Sequence, residues 1–188
     1  MVVCEFRTDT ELLQRERSEA DLRMMPLEIF SFSYFESLIH FCVDGVELLE
    51  WTGYPPAVLN ELPAGERARM EAVEATIIAR QPPPWRSIPL LGIAIHLPRT
   101  IQDARLKGYS TYVDHLDYTM ITCRIEGVEI ELVSNVNGRA ALANLDNVSA
   151  AVQRFAASAR LALASQCPEL TEHVALQVWF RGESHRSR

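Results

Sequence analysis

Residues 30–34 open the regular pattern of this chain. Phe30, Phe32 and Tyr34 alternate with Ser31 and Ser33, the period of two that lines one face of a strand with aromatic rings. A second apolar run, residues 38–43, has strand length and is stopped by Asp44 and Gly45. Asp44 is then expected to cap a short helix over 46–51 by accepting amide hydrogens of its first turn. Gly53, Pro55 and Pro56 end that helix. A longer helix is predicted over about 63–81, with Met70, Val73 and Ile77 inward and Arg67, Glu71 and Glu74 outward. Pro82, Pro83 and Pro84 stop it, because proline lacks the amide donor and clashes with the preceding turn. In residues 90–97, Leu91, Ile93, Ile95 and Leu97 alternate with Gly92, Ala94 and His96, which reads as a strand closed by Pro98.

The best-specified local structure is a hairpin over 118–134. A two-residue turn at Glu126 and Gly127 pairs Ile125 with Val128, Cys123 with Ile130 and Ile121 with Leu132. On the other face Arg124 opposes Glu129 and Thr122 opposes Glu131. A helix over about 146–166 follows, with Val148, Val152, Phe155, Ala156, Ala159 and Leu163 as its buried stripe and Asp146 or Asn147 as its cap. Residues 173–180 read as a last strand with Val174, Leu176, Val178 and Phe180 on one face.

Strands in neighbouring runs, without strict βαβ alternation, predict an α+β fold. The expectation is a single domain, a mostly antiparallel sheet with the two longer helices (about 63–81 and 146–166) packed on it. Residues 1–25, polar and alternating in charge, are expected to be a poorly anchored segment, residues 26–181 the domain, and 182–188 a disordered tail. The length of 188 residues suits one domain that needs no disulfide staples. The four cysteines lack C-x-x-C spacing and sit among apolar neighbours, as free core thiols of a reducing, cytoplasmic compartment do. No stretch approaches the ~20 apolar residues of a membrane span.

Charge changes the picture. The chain carries 18 basic and 25 acidic residues, a net charge of −7. Residues 24–66 contain no Lys or Arg and seven acids: Glu28, Glu36, Asp44, Glu47, Glu50, Glu61 and Glu66. The whole excess therefore falls in one segment, which repels nucleic acid and anionic membrane and attracts a basic protein. Its densest part combines Asp44, Glu47 and Glu50 with Trp51, Tyr54 and Glu61, carboxylates for steering beside aromatic anchors. Glu47 and Glu50, three apart, are expected on one helix face.

Catalytic motifs are missing: there is no G-x-S-x-G, no phosphate loop, no H-E-x-x-H and no EF-hand spacing. The one polar constellation, Asp114, His115 and Asp117 with His96, suits either a divalent metal or a general base oriented by a carboxylate. Its place between two strands also suits turn-forming Asp.

Residues 41–50, Phe-Cys-Val-Asp-Gly-Val-Glu-Leu-Leu-Glu, resemble small bacterial immunity proteins of polymorphic and contact-dependent toxin systems, which open with a strand, an Asp-Gly or Asn-Gly turn and a Leu-Leu helix. The resemblance implies a cytoplasmic, non-enzymatic protein that neutralises a basic toxin, such as a nuclease, by occluding its active site. No catalytic residue, cofactor or metal belongs to that reading. Two alternatives stand beside it: a small metal-dependent or acid–base enzyme using His96, Asp114, His115 and Asp117, and an accessory subunit of a larger assembly.

Overall fold

The computed structural model describes residues 1–8, 35–51, 53, 56–80, 82–113 and 119–181. Their order is β1 (Val2–Thr8), β2 (Glu36–Val43), β3 (Val46–Glu47), α1 (Pro56–Glu61), α2 (Ala64–Arg80), β4 (Arg86–Pro89), α3 (Leu90–Lys107) and β5 (Tyr109–Val113). There follow β6 (Thr119–Glu126), β7 (Glu129–Ser134), β8 (Ala140–Asn144), α4 (Leu145–Gln166), a 3-10 turn (Pro168–Glu172) and α5 (Gln177–Phe180). The fold is α+β with two antiparallel sheets. In the first, β2 is central, paired with β1 along one edge and with β3 and β4 along the other. The second runs β5-β6-β7-β8. Helices α3 and α4 pack on each other, α3 also on β5 and β6, and α4 on β1 and β8. One hydrophobic core joins both sheets, from Phe35, Phe41 and Leu91 through Ile121 and Leu132 to Phe155. No helix among the described residues is long and apolar enough to cross a membrane.

Helix α4 follows its pattern. All six residues of the expected stripe are buried, and Phe155 meets Phe6 edge-on at 5.7 Å. The cap is Asn144, whose side chain accepts from the amides of Asp146 and Asn147, so the residues expected to cap are the ones capped.

The largest correction is α3. Residues 90–97 are helical, and the helix continues through Pro98 to Lys107, where Gly108 ends it in the left-handed conformation. A run this apolar, with only Ile95 and His96 half-buried, has no clear polar face to reveal its period, and Leu90, Ile93, Ala94, Leu97, Ile101 and Ala104 keep helical spacing to the end. Burying them outweighs the ~3 kcal/mol that an interior proline costs.

The helix expected over 46–51 is absent. Asp44 and Gly45 both have positive φ, 48° and 83°, the backbone of a type I′ hairpin turn, and they fold Val46 and Glu47 back along β2. Asp44 is thus a turn residue, and Glu47 and Glu50 share no helix face.

The hairpin of β6 and β7 is displaced by two residues from its expected register. Glu126 pairs with Glu129, Ile125 with Ile130, Arg124 with Glu131 and Cys123 with Leu132. Gly127, with φ of 66°, takes the first central position of the turn, where a glycine suits type II′, and Val128 takes the second, 75% exposed. An even displacement leaves each strand's faces unchanged, so Ile121, Cys123, Ile130 and Leu132 are still buried.

Three further expectations give way. Residues 2–8, inside the segment expected to be poorly anchored, form β1, with Val2, Cys4 and Phe6 packed on the core. Helix α2 lies where the 63–81 helix was expected, but none of its residues is buried: a stripe of three apolar side chains is too thin to hold it on a sheet, and α3 takes that place. Instead, Arg67 donates to the carbonyls of Leu59 and Asn60 at 2.9 and 3.2 Å, tying α2 to the end of α1. Residues 173–180 are no strand: the His173 carbonyl accepts from the amides of Leu176 and Gln177, which turns the chain into α5 and leaves Val174 83% exposed. The aromatic alternation at 30–34 and the expected tail at 182–188 lie outside the described residues.

Candidate functional site

Residues two apart on a strand share a face, so His40 and Cys42 project from the same side of β2. The register sets Glu5 of β1 opposite His40 and Glu47 of β3 opposite Cys42. This side faces away from the core, since the alternate residues Ile39, Phe41 and Val43 are fully buried. The type I′ turn makes the arrangement possible, because only a tight reversal at Asp44 and Gly45 returns Glu47 beside Cys42.

Both ring nitrogens of His40 meet carboxylates: Nδ1 lies 3.0 Å from Glu5 Oε1 and Nε2 lies 2.9 Å from Glu47 Oε2. The His40 side chain is only 14% exposed, Glu47 24% and Glu5 55%, so the pair tightens inward from the rim. The Trp85 ring stands tilted beside the imidazole at 5.4 Å, and Arg7 lies over Trp85 at 4.1 Å. Among the described residues, His40, Cys42 and Glu47 bring an imidazole, a thiol and a carboxylate within 4.8 Å of one another. Burial pushes the Cys42 thiol above its ordinary range, and the Glu47 carboxylate adds to that.

The four cysteines are free thiols, as their spacing implied. Burial pushes Cys123 up to about 12 and raises Cys4 as well, with Glu5 a second cause there, so neither is a ready nucleophile.

Three of the four acidic residues singled out as a partner surface are drawn into intramolecular pairs. Asp44 meets the Met1 amino group, Glu47 meets His40 and Glu50 meets Arg139. Asn137, in the turn before β8, donates its side-chain amide to the carbonyls of Glu47 and Glu50, both at 2.9 Å. Trp51 is half-buried, Glu61 is exposed at the end of α1, and Tyr54 lies outside the described residues. Of the alternative constellation, His96 sits on α3, where burial and then Arg99 lower its pKa. Asp114, His115 and Asp117 lie outside the described residues. Sequence reasoning missed Glu5, His40 and Cys42. The signal was available for two of them: reading Asp44 and Gly45 as a hairpin turn places Cys42 against Glu47. Glu5 needed the pairing of β1 with β2, which no local pattern announces.

Comparison of the chain with protein-family models, with curated proteins and with solved structures finds no match.

Proposed function

We propose that this is an acidic, non-enzymatic binding protein for a basic protein partner, acting as an immunity-type inhibitor that occludes the active site of a toxin such as a nuclease in the bacterial cytoplasm. The observation that carries the reading is the charge: a net −7 whose whole excess falls within residues 24–66. Long-range attraction depends on this net field, which internal ion pairs leave unchanged. Contact with the partner is a different matter. Asp44, Glu47 and Glu50 are engaged within the fold, so the contact residues of this reading are the exposed Glu61 and the half-buried Trp51.

The test begins with the neighbouring genes. If one encodes a large toxin, its basic C-terminal domain is purified and titrated against this protein across a salt series. The reading expects inhibition of the toxin domain and an on-rate that falls as salt shortens the Debye length from ~10 Å at 0.1 M to ~3 Å at 1 M. Glu61→Lys should slow association with an unchanged melting curve. No toxin gene, no inhibition, or association indifferent to both salt and Glu61→Lys overturns the reading. Glu50→Lys is a poorer probe, because it also breaks the pair with Arg139.

A further inference from the structure

The geometry points to a binding site for one divalent transition metal of the zinc class, held by Cys42 Sγ, His40 Nε2 and a Glu47 carboxylate oxygen, with Glu5 orienting the imidazole from behind. The three donor atoms already lie within 4.8 Å of one another and come from the two arms of one tight hairpin. Tetrahedral coordination with metal–ligand bonds of about 2.0–2.3 Å separates its donors by roughly 3.3–3.8 Å, so the side chains need shift only slightly to admit the ion. Thiolate and imidazole together favour zinc, cobalt or copper over magnesium and calcium, which take oxygen ligands.

His40 supplies the second, independent observation. An imidazole with carboxylates at both nitrogens has two negative partners, at 3.0 and 2.9 Å. With Nδ1–H donated to Glu5, Nε2 and the Glu47 carboxylate converge on one place, which a proton or a metal ion can occupy. A metal ion there accepts from both. The carboxylate behind the ring is the usual partner of a metal-bound histidine: it fixes the tautomer and makes the free nitrogen a better donor. Trp85, beside the ring, limits water on that side and holds the imidazole plane. Three protein ligands leave a fourth position, which a water or an incoming ligand atom fills. Cys42 binds as thiolate, its proton passing to solvent. The site is independent of the docking reading; Glu47 serves the metal, and Glu61 and Trp51 remain for the partner.

Cobalt(II) is the probe, added to the full chain after chelator treatment. One equivalent should bind with a thiolate-to-cobalt charge-transfer band and the intensified d–d bands of a tetrahedral ion, and zinc should bleach both while magnesium leaves them intact. Cys42→Ser should abolish the charge-transfer band, which separates this thiol from Cys4, Cys123 and Cys167. Glu5→Gln, at an exposed position, should weaken cobalt binding roughly 10–100-fold while the metal-free melting curve stays parental. If Cys42→Ser fails to fold, Glu47→Gln reads the same site, with affinity expected to drop at least about tenfold. No charge-transfer band at millimolar cobalt, a band that survives Cys42→Ser, or undiminished affinity in Glu47→Gln overturns the assignment.

Discussion

Asn137 donates its side-chain amide to the Glu50 carbonyl at 2.9 Å, a contact between residues 87 apart in the chain. The same amide reaches the Glu47 carbonyl, and Arg139 pairs with the Glu50 carboxylate. Together they fasten the end of the β2–β3 hairpin, in the first sheet, to the turn between β7 and β8 in the second. The carbonyls of a segment with so little strand pairing are thereby satisfied. Asn137→Ala removes both bonds and should cost about 1–3 kcal/mol in urea unfolding. Arg139→Ala should cost less, since its ion pair is partly solvated, and the two substitutions should be non-additive.

The register of the β6–β7 hairpin separates a valine and an isoleucine that the sequence treats alike. Ile130 is fully buried, whereas Val128 is 75% exposed in the turn. Ile130→Asp buries an unpaired charge and should cost more than about 4 kcal/mol or prevent folding. Val128→Asp should cost under about 1 kcal/mol, with only solvent-screened repulsion from Glu126 and Glu129 against it. Equal melting temperatures for the two variants would contradict the observed register.

At the start of α4 the cap is Asn144, two or three residues earlier than the expected Asp146 or Asn147. Asn144→Ala should destabilise the protein by about 1 kcal/mol, because the amides of Asp146 and Asn147 lose their acceptor. Asn147→Ala should stay within about 0.5 kcal/mol of the parent. Paired thermal melts distinguish the two.

His96 predicts an acid limb in the stability profile. Burial, and next the nearby Arg99, hold its folded pKa below the ordinary 6.5, so the unfolded chain binds the proton more readily. Its contribution is complete above that ordinary value and is lost as pH falls from there through the lowered folded value. Urea midpoints measured from about pH 8 to about pH 5 should fall less steeply in His96→Gln than in the parent.

The parts legible in the sequence are those whose information is local. The stripe of α4 repeats often enough to name its buried side chains, and the alternation in β6 and β7 assigns their faces whatever the register. Even the acidic segment is visible as a count. The candidate site was half legible: Asp44 and Gly45 announce a hairpin that brings Glu47 to Cys42, once the turn is preferred to a helix cap.

What the sequence by itself determined, then, is the α+β class, the antiparallel character of the sheets and the buried faces of β6, β7 and α4, because propensity and period act within a few residues. Tertiary structure decided the rest. Residues 90–97 are apolar but for His96, so only their packing against both sheets and α4 makes them a helix and carries it through Pro98. Strand β1 has too few residues to stand alone and exists through its pairing with β2, and that same pairing sets Glu5 against His40. Whether a carboxylate faces solvent or an internal partner was also decided there: Asp44, Glu47 and Glu50 look alike along the chain, and each is claimed by a group that only the folded backbone brings within reach.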